Sequence, residues 1–192
     1  MSDPATAAET LSRRNFLKLS ATSAALLSIG GGTAVLAGCS RSEPAASGYE
    51  FLRAADLVLL NALSLAIVPG GLPTEPSARS KSLQTITKGI DSTCVRLGSP
   101  SQKKIRQLFD LLTAGLTRRL AAGVSKPWNE ASAQEVTAFL NKWRHSSIGL
   151  FNSGYRVLVT FITLTHYASP EGAKGTGYPG PLAWVYAAAN AP

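Results

Sequence analysis

Side chains suited to nucleophilic, metal-binding or proton-transfer chemistry are few in this 192-residue chain: two cysteines, Cys39 and Cys94, and two histidines, His145 and His166. Two of each cannot build a zinc cage, an iron–sulfur site or a Cys-x-x-Cys-His haem attachment. No Gly-Lys-Ser/Thr phosphate-binding loop occurs either. His166 has two readings: a polar contact or proton shuttle toward a partner, or a structural histidine that locks the C-terminal loop to its helix. With no second ligand or nucleophile beside it in sequence, the residues favour the structural role. His145 follows Arg144 at the end of a helical pattern, where a cation suits the helix dipole. Cys94 falls on an apolar stripe, which fits a buried free thiol. An intersubunit disulfide is its sharper alternative in an oxidising compartment. No acid–base or nucleophile pair emerges, so the chain is expected to have no activity of its own, no metal site and no cofactor.

Charge narrows the classes further. Lys and Arg number 19 against 11 Asp and Glu, a formal charge of +8. The basic residues stand singly or in pairs such as Lys103-Lys104 and Arg118-Arg119, without interleaved aromatics. That pattern lacks the footprint of a nucleic-acid groove. With 45% hydrophobic and 16% charged residues there is material for a folded core.

The strongest local pattern is an address. Arg13-Arg14 is followed by Phe16, Leu17 and Lys18, then by a weakly apolar stretch to Leu36 interrupted by Gly30-Gly31-Gly32. Three glycines in mid-span, each costing about 1 kcal/mol against alanine in a helix, argue against a membrane-spanning helix. Paired arginines before a modest apolar stretch are the export signal of the twin-arginine translocase. The stretch closes on Leu36-Ala37-Gly38-Cys39, which resembles the lipobox of bacterial lipoproteins, where cleavage precedes a cysteine that then carries diacylglycerol. Diacylglycerol plus an N-acyl chain exceeds the two-signal threshold for stable anchoring. The expected organisation is a signal peptide over 1–38, a lipidated tether over 39–50 and a helical domain over 51–192. The expected location is a bacterial periplasm, anchored to the inner or the outer membrane. The twin-arginine route carries proteins already folded, usually around a cofactor, so a chain without one is expected to travel with a partner that has one.

The elements that must position these residues are helical. Residues 51–68 read as a central helix whose polar residues Arg53, Asp56, Asn61 and Ser64 share one narrow arc. Pro69-Gly70-Gly71 stops it, and a loop is expected to continue to about 82. Leu83, Ile86, Ile90, Cys94 and Leu97 then share one face of a second helix. A third, capped by Ser101, carries Ile105, Leu108, Phe109, Leu112 and Leu116, with Lys103, Lys104, Arg106, Arg118 and Arg119 toward water or a partner. Ser132 and Glu135 form a capping box ahead of Val136, Phe139, Leu140 and Trp143. In 149–168 the β-branched and aromatic residues suit strands, but alternation fails and Arg156, Thr160 and Thr163 fit a helical stripe. The fold class is therefore all-α, a compact bundle of about five helices.

The C-terminal third adds a more specific signal. His166-Tyr167-Ala168-Ser169-Pro170 closes a helix, and Gly177-Tyr178-Pro179-Gly180-Pro181 follows a short loop. Together with Ala66-Ile67-Val68-Pro69-Gly70 and the helix bearing Val136, Phe139 and Leu140, this resembles the gluconate 2-dehydrogenase subunit 3 family. The resemblance runs in short patches from Phe51 to Pro181. It implies a non-catalytic small subunit that exports, stabilises and anchors a large flavoprotein dehydrogenase of the glucose–methanol–choline class, acting on sugars or alcohols. FAD would then sit in that partner, and a cytochrome subunit or quinone would accept the electrons. His166, Tyr167 and the turn Tyr178, Pro179, Gly180 and Pro181 are the candidate docking residues, with Trp184 and Tyr186 beyond. The alternative is a stand-alone periplasmic lipoprotein that binds a small ligand between its helices.

Overall fold

A computed structural model describes residues 43–174, 176–177 and 184–185. Arg13, Arg14, Phe16, Leu17, Lys18 and Cys39 lie outside the described residues, as do Tyr178, Pro179, Gly180, Pro181 and Tyr186. The described residues are all helical, without a strand. Five long helices carry the fold: α1 (Ala54–Ile67), α2 (Pro76–Arg96), α3 (Ser99–Thr113), α5 (Ala133–Arg144) and α6 (Gly149–Tyr167). Between α3 and α5 come a single turn, α4 (Gly115–Thr117), and a π-helical turn, Arg118–Ala122; α7 (Pro170–Lys174) follows α6. The expected all-α bundle is what forms.

Local chemistry sets the helix ends. Ser132 and Glu135 make the expected reciprocal cap, with Ser132 N–H donating to Glu135 Oε2 at 2.8 Å. The second helix starts at Pro76 rather than near 82, because Glu75 accepts the Ala78 N–H at 2.6 Å and proline fits the first helical position. The third starts at Ser99 behind Gly98, not at Ser101. It also ends at Thr113, short of Leu116, and the chain passes through the π-helical turn to Gly123 at φ +78°, a left-handed geometry that favours glycine.

The first helix is central, as expected: α1 contacts α2, α3, α5 and α6. Its orientation is not as expected. Asp56 and Ser64, two members of the polar arc, are buried, whereas Val58 and Leu65 are exposed. Leu59, Leu60 and Leu63 pack with Ile86, Ile90, Phe109, Leu112, Leu158 and Ile162 in one continuous core. Full burial of such side chains contributes about 1.5–3 kcal/mol each.

An aromatic row braces one side of that core. Trp128 meets Phe139 edge-on at 5.4 Å, Phe139 meets Trp143 at 4.9 Å, and Trp143 stacks on Phe151 at 5.0 Å. Both buried indoles are satisfied: Trp128 donates to the Leu112 carbonyl at 2.7 Å and Trp143 to the Ala121 carbonyl at 3.0 Å. Gly154 makes room for Trp143, since a Cβ there would stand 2.7 Å from the indole.

Candidate functional site

Two places concentrate polar groups inside this apolar body. The first is the junction at which the chain comes into the domain. The Asp91 carboxylate on α2 accepts three successive backbone N–H groups, from Glu50 at 3.0 Å, Phe51 at 2.9 Å and Leu52 at 2.8 Å. Ala46 N–H donates to the Leu52 carbonyl at 2.8 Å, and the Tyr49 hydroxyl meets Thr87 at 2.9 Å. Residues 46–52 are thus fastened to the bundle, although the Ser, Ala and Pro content of the preceding stretch reads as a loose tether through Gly48.

Just beyond, fully buried Asp56 accepts from the Arg53 backbone N–H at 2.9 Å and from Arg106 at 2.6 Å. Arg106 also donates to the Phe51 carbonyl and lies over the Phe51 ring at 4.3 Å. Arg53 bridges Asp56 and Asp110. Burial works against the Arg53 charge, but its bonds to Asp110 and Asp56 more than offset this and leave its pKa above the ordinary value. Arg106 was expected to face water or a partner; it turns inward because buried Asp56 requires a counter-charge. Two acids and two arginines therefore lock the start of α1 to α3.

The second place is the end of α6. His166 is only 2% exposed, with its ring against Gly71 of the Val68-Pro69-Gly70-Gly71 turn and beneath Gly172 of α7. A Cβ on Gly71 would overlap His166 Nε2, and one on Gly172 would overlap the His166 carbonyl. Ser169 closes the turn, donating to that carbonyl at 2.7 Å and accepting the Gly172 N–H at 3.1 Å. His166 Nε2 has no hydrogen-bond partner among the described residues, and burial pulls the imidazole pKa below its ordinary value. As a docking residue His166 is corrected: its side chain is sealed inside the chain. Its neighbour Tyr167 is 50% exposed and remains a surface group, as is Trp184.

The candidate intersubunit disulfide is corrected: Cys94 is the buried free thiol that its apolar stripe implied. It is fully buried in the core, and burial pushes its thiol up to about 12, so no partner sulfur reaches it without opening the bundle. His145 is exposed, with Nδ1 3.0 Å from the Asn141 carbonyl at the end of α5. Among the described residues no group of three or more His, Cys, Asp or Glu is placed to hold a metal ion. Residues 175–180, Gly-Thr-Gly-Tyr-Pro-Gly, carry the letters of a dinucleotide-binding loop. They follow the helical turn α7 rather than a strand, which is not the setting such a loop requires.

A groove of about 260 Å³ runs between α1 and the segment that leads into α5 together with the first turn of α5. Val58, Ala62 and Leu65 line it from one side, Trp128 and Val136 from the other, and Asn61 Oδ1 beside it has no hydrogen-bond partner among the described residues. No helix among the described residues is long and apolar enough to cross a membrane. Searches against protein-family models, curated proteins and solved structures find no match to the chain.

Proposed function

We propose that this chain is the small, non-catalytic subunit of a periplasmic FAD-dependent sugar or alcohol dehydrogenase. It would be exported by its own twin-arginine leader with the flavoprotein bound, and lipid-anchored through Cys39. The observation that carries the reading is the meeting of two patches on which the family resemblance rests. The Val68-Pro69-Gly70 turn and the His166-Tyr167-Ala168-Ser169-Pro170 helix end are remote in sequence, yet Gly71 and Gly172 close on the His166 ring between them. A turn, a helix end and a glycine seat that fit one another are what a shared fold would require of those stretches. Tyr167, exposed beside this seat, is the described residue best placed to continue onto a partner.

Purifying the full chain from its host through a C-terminal tag tests the proposal. A yellow polypeptide several times its mass should accompany it, with a flavin absorption spectrum. Recovery of the chain alone in full yield would refute the reading. Changing Arg13 and Arg14 to Lys should strand both polypeptides in the cytoplasm; continued export of the flavoprotein would show that it does not depend on this leader. The groove beside Asn61 favours a second reading, a lipoprotein that binds a small ligand with an N–H or O–H donor. It lies just below the usual size range of ligand pockets. A rise in melting temperature on screening small amides and alcohols against the chain would support that alternative.

A further inference from the structure

We infer that the end of the bundle formed by the π-helical turn and the loop between α5 and α6 is an interfacial surface that rests on anionic lipid headgroups. Leu116 and Leu120, 62% and 74% exposed, stand four residues apart at the π-helical turn. Ile148 and Leu150, 53% and 70% exposed, flank the start of α6. Trp143 brings the two pairs to one end of the molecule: its indole N–H holds the carbonyl of Ala121, next to Leu120, while its ring stacks on Phe151, next to Leu150.

Cations surround these apolar tips. Arg119 is exposed on the turn itself. Lys142 Nζ lies 3.6 Å from where a Cβ on Gly123 would sit, at the cap of that turn. Asn152 donates to the Arg144 backbone carbonyl at 2.6 Å and accepts from the Arg156 guanidinium at 3.1 Å, which sets one further cation beside the loop, and Arg144 itself is exposed. No Asp or Glu occurs in residues 111–129 or 136–170, so the segments that build this end contribute no opposing charge.

The residue types separate a lipid surface from a protein partner. Protein hot spots are rich in Trp, Tyr and Arg and poor in Leu. Protruding Leu and Ile ringed by Lys and Arg, in segments that hold no Asp or Glu, instead match the apolar tips and cationic rim of an interfacial element on an anionic bilayer. The inference rests neither on Cys39 nor on the proposed subunit role. An acyl anchor would hold the chain near a membrane, whereas this end would fix which side of the domain faces it.

The test uses the full chain with Cys39→Ala, which removes the acyl anchor, in co-sedimentation with vesicles of phosphatidylcholine alone or mixed with phosphatidylglycerol. The leader is common to every variant, so differences among variants report this end of the bundle. The parent should bind the anionic vesicles, more weakly at high salt. L116S/L120S/I148S/L150S should bind them about tenfold less well. R119E/K142E, at exposed positions outside the core, should lose a similar factor while its circular dichroism stays unchanged. A fluorophore on L120C should shift to the blue on anionic vesicles only. Binding by R119E/K142E equal to the parent, or a fluorophore that stays in water, overturns the inference even if the leucine variant fails to fold. An acidic protein that binds this end in the absence of any vesicle binding overturns it as well.

Discussion

Replacing Asp91 with Ala should cost about 3–4 kcal/mol of folding stability and release the segment leading into α1. The carboxylate accepts three N–H groups at 2.8–3.0 Å, and hydrogen bonds to a charged acceptor contribute about 1.5–3 kcal/mol each. The three do not simply add. The Leu52 bond is buried, so the alanine variant leaves that donor without water or acceptor, at about 2–3 kcal/mol. The Glu50 and Phe51 bonds are partly buried, and water can replace the carboxylate there at well under 1 kcal/mol each. Asp91→Asn should cost about 2 kcal/mol, because the amide oxygen still accepts while its NH2 group meets a donor. Urea unfolding of the Cys39→Ala chain measures the loss, and hydrogen exchange at residues 50–52 locates it. A loss below about 1 kcal/mol, with those amides still protected, would refute the assignment of Asp91 as the clamp.

The other expectations concern the remaining buried polar groups. Asp56→Ala takes the counter-charge from Arg106, leaves Arg53 with Asp110 alone, and should cost about 3–5 kcal/mol, with Arg106→Leu recovering part of the loss; strictly additive single and double variants in urea would dismiss the pairing. The His166 pKa is lowered on folding, so the unfolded chain binds the extra proton. Stability is therefore full above pH of about 6.5 and falls as the pH drops through that value toward the folded-state pKa. Melting temperatures from pH 7.5 to 5 should show this fall, and a His166→Asn variant with an unchanged slope would assign it elsewhere. Native Cys94 should resist maleimide until urea unfolds the chain, and labelling at the rate of a free thiol in native buffer would contradict its burial.

Helix class and helix faces could be read from the sequence wherever apolar spacing was long and regular. The Ser132–Glu135 cap and the Val136, Phe139, Leu140, Trp143 stripe occur as spaced. The strand-like 149–168 region is a helix, because its buried residues Gly154, Leu158, Ile162 and His166 recur every fourth position on one face of an element that packs on α2 and α5. Less was legible where a polar residue serves the interior. Asp56 and Asp91 look like surface acids in a one-dimensional pattern; their partners, Arg106 and the N–H groups of residues 50–52, lie remote in sequence. The burial of His166 was equally hidden, since it depends on two glycines from different parts of the chain. One cue was available for Arg106: it is the member of the basic face that falls beside the apolar stripe at Ile105 and Phe109.

The π-helical turn at Arg118–Ala122 also bears on what changes of length the fold can absorb. A π turn is an α turn with one residue to spare, so deleting a residue there restores ordinary helical hydrogen bonding at little local cost. The same deletion would swing every later residue of the turn by about 100°. The Ala121 carbonyl would then leave the Trp143 indole, and an N–H at the centre of the aromatic row would lose its acceptor. The surplus residue is thus what keeps that carbonyl aimed inward, and shortening the turn should loosen the packing of α5 against it rather than tighten the loop.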